Sequence, residues 1–176
     1  KNEKMKIKLL FTSLFSMLLL AVFAQPDYEW VEQFGTSSGE GIYSVVTDAN
    51  GNVYATGSEN GRVKIHKRDA LGNYVWTKTV NGTTSAIGYS IALDGAGNVV
   101  VAGMFDATGD FDPGAGVYNL TSNGSTDIFV LKLDSSGNFV WAAAVGGTGI
   151  DRGYSVTTDA LNLSLIHISE PTRLTS

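Results

Sequence analysis

The 176-residue chain contains no cysteine, which removes disulfides, thiolate zinc sites, iron–sulfur clusters and cysteine nucleophiles together. Its fold is therefore held by packing alone. Positive charge is scarce: 12 Lys and Arg stand against 17 Asp and Glu, a net charge of −5. No basic footprint exists for phosphate backbones or anionic lipid, so nucleic acid is not an expected partner. Histidine is almost missing, with 2 in the chain, and only His66 lies outside the C-terminal tail. Neither a Ser–His–Asp triad nor a multi-histidine metal site can be assembled from that supply. A long apolar stretch is also lacking. The run from Leu9 to Phe23 is about 15 residues, short of the ~20 that a spanning helix requires.

That run follows Lys6 and Lys8 and closes on Val22, Phe23 and Ala24, before Gln25 and Pro26. A basic segment, a short apolar segment and small residues at the end form the layout of a signal peptide over 5–24. Cleavage after Ala24 is expected, which gives a secreted or cell-surface protein with no stable membrane span. Residues 161–176 break the pattern described below and resemble translated adapter read-through. They are set apart from the fold, and the natural protein is expected to continue beyond them.

What the chain has in abundance is glycine, 21 residues, and repetition. Trp30 and Trp76 are 46 residues apart, as are Tyr43 and Tyr89, Asp48 and Asp94, and Gly57 and Gly103. The next interval is 65 for Trp76 to Trp141, Tyr89 to Tyr154 and Asp94 to Asp159, so the second copy carries 19 extra residues between Gly103 and Asp127. Copies run over about 28–73, 74–138 and 139–160. A period in the forties with many short strands points to propeller blades and away from helical solenoids.

Asp-x-x-Gly-Asn recurs at Asp48, Asp69, Asp94 and Asp134. Each motif reads as a hairpin turn, because Asp and Asn bond nearby backbone and Gly accepts positive φ. Between the turns lie runs of β-branched and aromatic residues, four strands to a copy. Tyr43, Val45 and Thr47 share one side of the first strand, matched by Tyr89, Ile91 and Leu93 and by Tyr154, Val156 and Thr158. Those positions are expected to be buried. The opposite side is small, with Ser44, Ser90 and Ser155. Two uncharged faces suit sheets stacked face to face. The expected fold is all-β: propeller blades of four antiparallel strands, two blades and the start of a third, as an incomplete ring.

The runs Gly88 to Gly103 and Asp127 to Ala142, with their weaker copies, resemble the SBBP-type β-propeller repeats of secreted bacterial proteins. The likeness covers roughly Trp30 to Ala160. It implies a propeller fold and a secreted or surface setting, often in long chains ending in a type IX secretion sorting domain. It implies no catalytic residues. The chain departs from the pattern at Lys64, His66 and Arg68, where the second copy has Phe129, Leu131 and Leu133.

Several constellations invite a functional reading. Lys64, His66 and Arg68 form a basic row that suits an anionic glycan, or equally the solvated face of an end blade. Asp106, Asp110 and Asp112, with Gly109 and Gly114, offer oxygen ligands for calcium, but Pro113 interrupts the spacing and a long inter-strand loop is the plainer reading. The repeated Asp48, Asp94 and Asp159 read as turn formers and not as acid–base carboxylates. Trp30, Trp76 and Trp141 recur at blade period, which marks packing more than sugar platforms. No catalytic, cofactor-binding or metal residue is assigned. The expected role is a binding or scaffold module for an unknown protein or glycan. The alternatives are a propeller hydrolase or lyase with its active site elsewhere, and a glycan-binding adhesin using the 19-residue insertion.

Overall fold

The computed structural model describes residues 40–159 and 164–169. Among these residues all regular structure is β-strand. The signal-peptide segment, the Trp30 strand and the rest of the C-terminal tail lie outside them. The first sheet contains β1 (Gly41–Thr47), β2 (Val53–Glu59), β3 (Arg62–Arg68) and β4 (Tyr74–Thr79), antiparallel in chain order. The second contains β5 (Ala86–Leu93), β6 (Val99–Phe105), β9 (Asp127–Leu133) and β10 (Phe139–Val145), again side by side and antiparallel. Between β6 and β9, β7 (Thr108–Asp110) and β8 (Asn119–Thr121) form a separate hairpin. A third sheet opens with β11 (Arg152–Thr158) and β12 (Ser164–Ser169), the latter drawn from the stretch set apart in sequence. These are propeller-type blades whose described part does not close into a ring.

The turns explain why the strands break where they do. In all four Asp-x-x-Gly-Asn motifs one Asp oxygen accepts the backbone N–H groups two and four residues on, at 2.8–2.9 Å. The Asn amide donates to the other oxygen at 2.7–2.9 Å. Gly51, Gly72, Gly97 and Gly137 take φ of 78–82°, a region costly for residues with a Cβ. The side chain thus replaces the ladder bonds that the reversing backbone loses.

Stacking places the core between sheets. Tyr54, Val63 and Ile65 on the inward face of the first sheet meet Ile91, Val99, Val101, Phe129, Leu131 and Leu133 on the facing side of the second. On the second sheet's other side, Val100, Ala102 and Val130 pack on Val156. Fully burying each such side chain is worth roughly 1.5–3 kcal/mol, so the stacked faces dominate the stability.

Two expectations are corrected here. Tyr43 and Tyr154 are 54% and 45% exposed, and Tyr89 is only half-buried. Each inner strand carries a bulge at its Tyr: the register shifts between Ile42 and Ser44, Gly88 and Ser90, and Gly153 and Ser155. The extra residue leaves the ladder, and its side chain is re-aimed out of the face that alternation would assign. Val45 is 57% exposed, whereas its counterparts Ile91 and Val156 are each 6% exposed. Their local sequence is the same in kind. Ile91 and Val156 face a preceding sheet, and Val45 has no described sheet against it.

Candidate functional site

The inner strands β1, β5 and β11 lie next to one another, and the joints between them are built by residues that alternation marked only as small. The Ser44 hydroxyl accepts the backbone N–H of Ile91 at 3.3 Å, and Ser90 accepts that of Val156 at 3.1 Å. The same bond therefore recurs from blade to blade, made by a donor that no strand ladder within a sheet uses. Close approach is secured by glycine. A methyl group at Gly88 would lie 2.2 Å from the Thr56 hydroxyl, and one at Gly153 would lie 2.8 Å from the Ile128 side chain. The first blade has Ile42 at that position, beside no described sheet.

The bulged tyrosines converge along these joints. Ring centroids of Tyr43 and Tyr89 are 5.6 Å apart, edge to face, and those of Tyr89 and Tyr154 are 5.1 Å apart. The Tyr89 hydroxyl lies 3.6 Å from the Met104 sulfur. Burial raises the Tyr89 phenol above its ordinary range, with the Arg152 guanidinium opposing the shift. The row belongs to neither apolar core cluster.

The repeated aspartates are occupied by their turns. At Asp48 and Asp69 the side-chain amides of Asn52 and Asn73 hold the carboxyl below its usual value, and at Asp134 the backbone of Asn138 does so. Asp94 is buried, which alone would raise it, but Lys132 at 2.7 Å and the Asn98 donors bring it down to about 2. Carboxylates held ionised near neutral pH by their own turns are poor proton shuttles.

The 19-residue insertion is not the open loop expected. Its hairpin sends Phe111 into the core against Phe105 at 5.0 Å and Phe129 at 5.1 Å. Asp110 bridges to Asn81, beyond the first sheet, through backbone bonds of 2.7 and 3.3 Å. Asp106 accepts Ser85 N–H at 2.7 Å, Asp110 accepts Tyr118 N–H at 2.8 Å, and Asp112 accepts Gly114 N–H at 2.8 Å. Asp110 and Asp112 thus bond the insertion's own backbone, and Asp106 ties its base to the segment before β5. Among the described residues no group of three or more metal-type ligands gathers.

The basic row lies on the outward face of the first sheet, in register with Gly57, Ala55 and Val53. Lys64 pairs with Glu59 at 2.7 Å, His66 meets the Thr77 hydroxyl at 2.9 Å, and the Arg68 guanidinium lies over the Tyr74 ring at 5.4 Å. Their counterparts Phe129, Leu131 and Leu133 are fully buried between sheets. Trp76 is half-buried, edge-on to Tyr54 at 6.2 Å and against Gly137 of the next blade, so it packs. Trp141 is more open, on the second sheet's outermost strand. On the turn side, the Asp48 and Asp94 turns flank an open polar cleft of about 580 Å³ that also takes in Lys67 and Ser135.

No family model matches the chain. It is similar to an uncharacterized WD repeat-containing protein of Acanthamoeba polyphaga mimivirus, 28% identical over 99 residues, 48% of this chain and 7% of that protein. It is also similar to the regulatory protein FlaEY of Caulobacter vibrioides, 30% identical over 106 residues, 60% of this chain and 11% of that protein. The chain carries β-propeller-like repeats. The matches span only 7% and 11% of the lengths of those two relatives. Among the described residues no helix is long and apolar enough to cross a membrane.

The inter-blade serines, the tyrosine row and Phe111 were not singled out from sequence as doing these jobs. Ser44 and Ser90 carried a signal, since they repeat in phase opposite the bulky residues. Phe111 carried little, as one of several scattered apolar residues in an Asp- and Gly-rich insertion.

Proposed function

We propose that this chain is part of a secreted or cell-surface β-propeller of the SBBP type, whose stacked blades act as a binding or scaffold module. The observation that carries the reading is the repeated joint: a serine acceptor, a glycine at the closest approach and an apolar face recur between blades. A module built this way presents a rigid surface on which loops vary, the usual arrangement for binding. Its partner is a protein or a glycan. The turn-bound aspartates speak against reading the repeats as a hydrolase or lyase centre.

Export rests on the basic-then-apolar layout ending at Ala24. Expression of the natural gene followed by fractionation and N-terminal sequencing tests it. A mature chain beginning at or near Gln25 outside the cytoplasm is the expected result. An unprocessed chain retained in the cytoplasm overturns the secreted reading.

A further inference from the structure

We propose that the row formed by Tyr43, Tyr89 and Tyr154 is a carbohydrate site that takes the pyranose rings of a glycan chain. This rests on reading the sheets as blades of a binding module and deepens it by naming the surface and the ligand class.

Three observations carry it. The same side chain is expelled from the strand ladder by the same bulge in all three inner strands, and bulges characteristically re-aim side chains at sites. A tyrosine kept only for core packing would sit in a face, yet none of the three belongs to the apolar clusters between sheets. The row also keeps exposed surface: Tyr43 and Tyr154 are 54% and 45% exposed, and Tyr89, with a tyrosine on each side at 5.6 and 5.1 Å, is only half-buried.

The chemistry of such a row suits sugars. An aromatic face presents negative potential to the polarised C–H groups of a pyranose, while a phenol hydroxyl both donates and accepts at the ring's hydroxyls. Arg152, on β11, acts electrostatically on the Tyr89 phenol, so a guanidinium lies near the row. Tyrosine is amphipathic and has few rotatable bonds, so little conformational entropy is lost on binding. Neither the insertion carboxylates nor Lys64 of the basic row offers the same opening. The insertion carboxylates are taken by backbone N–H groups, and Lys64 is paired with Glu59.

The test uses the purified protein with cellohexaose, xylohexaose and chitohexaose, read by calorimetry and by saturation-transfer NMR. At least one is expected to bind with saturation at the tyrosine ring protons. Tyr43→Ala and Tyr154→Ala should each weaken that binding about tenfold, the loss expected for removing one stacked ring. Tyr74→Ala, on the outer strand β4, should leave it unchanged. Melting temperatures and far-UV dichroism show whether each variant is folded, and Tyr43→Phe, which keeps the ring, should retain most of the affinity. Absence of binding by all three oligosaccharides overturns the proposal, as does wild-type affinity in both alanine variants. So does a loss shared equally by Tyr74→Ala. Failure of export would instead overturn the secreted reading and leave sugar binding by the purified protein intact.

Discussion

Asp94 shows how one residue can serve local and blade-level structure together. Its two oxygens hold the turn through Ala96 and Asn98, and one of them also pairs with Lys132 at 2.7 Å on β9. The carboxyl is held at about 2 against an ordinary 3.8. A depressed folded-state value means that the ionised form is the one the fold favours. The contribution is therefore complete above about pH 4, the value in the unfolded chain, and is lost as pH falls toward 2. Asp94→Asn should lower the melting temperature at pH 6, and the gap between it and the native protein should close as pH is lowered from about 4 to 2. A gap that stays constant across that window would show that the carboxylate's charge contributes nothing.

The insertion between β6 and β9 shows an element recruited into packing by a single side chain. Phe111 is fully buried against Phe105 and Phe129, while Tyr118 stacks on Phe139 at 4.9 Å and Leu120 packs partly against the same core. With backbone bonds from Asp110 to Asn81, the hairpin ties the second blade to the segment leaving the first. Phe111→Ala should cost about 3–5 kcal/mol in unfolding free energy, the range for removing a buried aromatic ring. Chemical denaturation gives the value directly. A change near zero would return the insertion to the surface-loop role expected from its Asp, Gly and Pro content.

Across the whole stack, what covers a face decides how its residues behave. Val45 and Ile91 occupy one repeat position and differ ninefold in exposure, 57% against 6%, because among the described residues a sheet packs against only one of them. Ser155, the counterpart of the acceptors Ser44 and Ser90, is exposed, and so is Trp141 at 38%. Residues 25–160 made alone should therefore associate, through uncovered apolar faces and open strand edges, into multimers or poorly soluble material. Sedimentation analysis together with thermal unfolding checks this. A soluble monomer with one sharp transition would mean that the segment is a complete domain and would undo the propeller reading.

Strand positions, the Asp-x-x-Gly-Asn turns and the all-β class were legible in the residues, because they depend on local rules: alternation with period two, β-branched runs, and side chains that bond their own backbone. The matching of Lys64, His66 and Arg68 with Phe129, Leu131 and Leu133 was legible for the same reason, since a repeat preserves register. The burial of Tyr43, Tyr89 and Tyr154 was not. A one-residue bulge leaves composition and spacing unchanged while re-aiming the side chain, so only strand pairing could reveal it. Phe111, Ser44 and Ser90 likewise take their roles from partners on other strands, as far as 66 residues away. Local sequence determined which strands and turns form. The stacking of one sheet on the next decided which of their residues are core, joint or exposed surface, because burial depends on the neighbouring sheet and not on the strand that carries the residue.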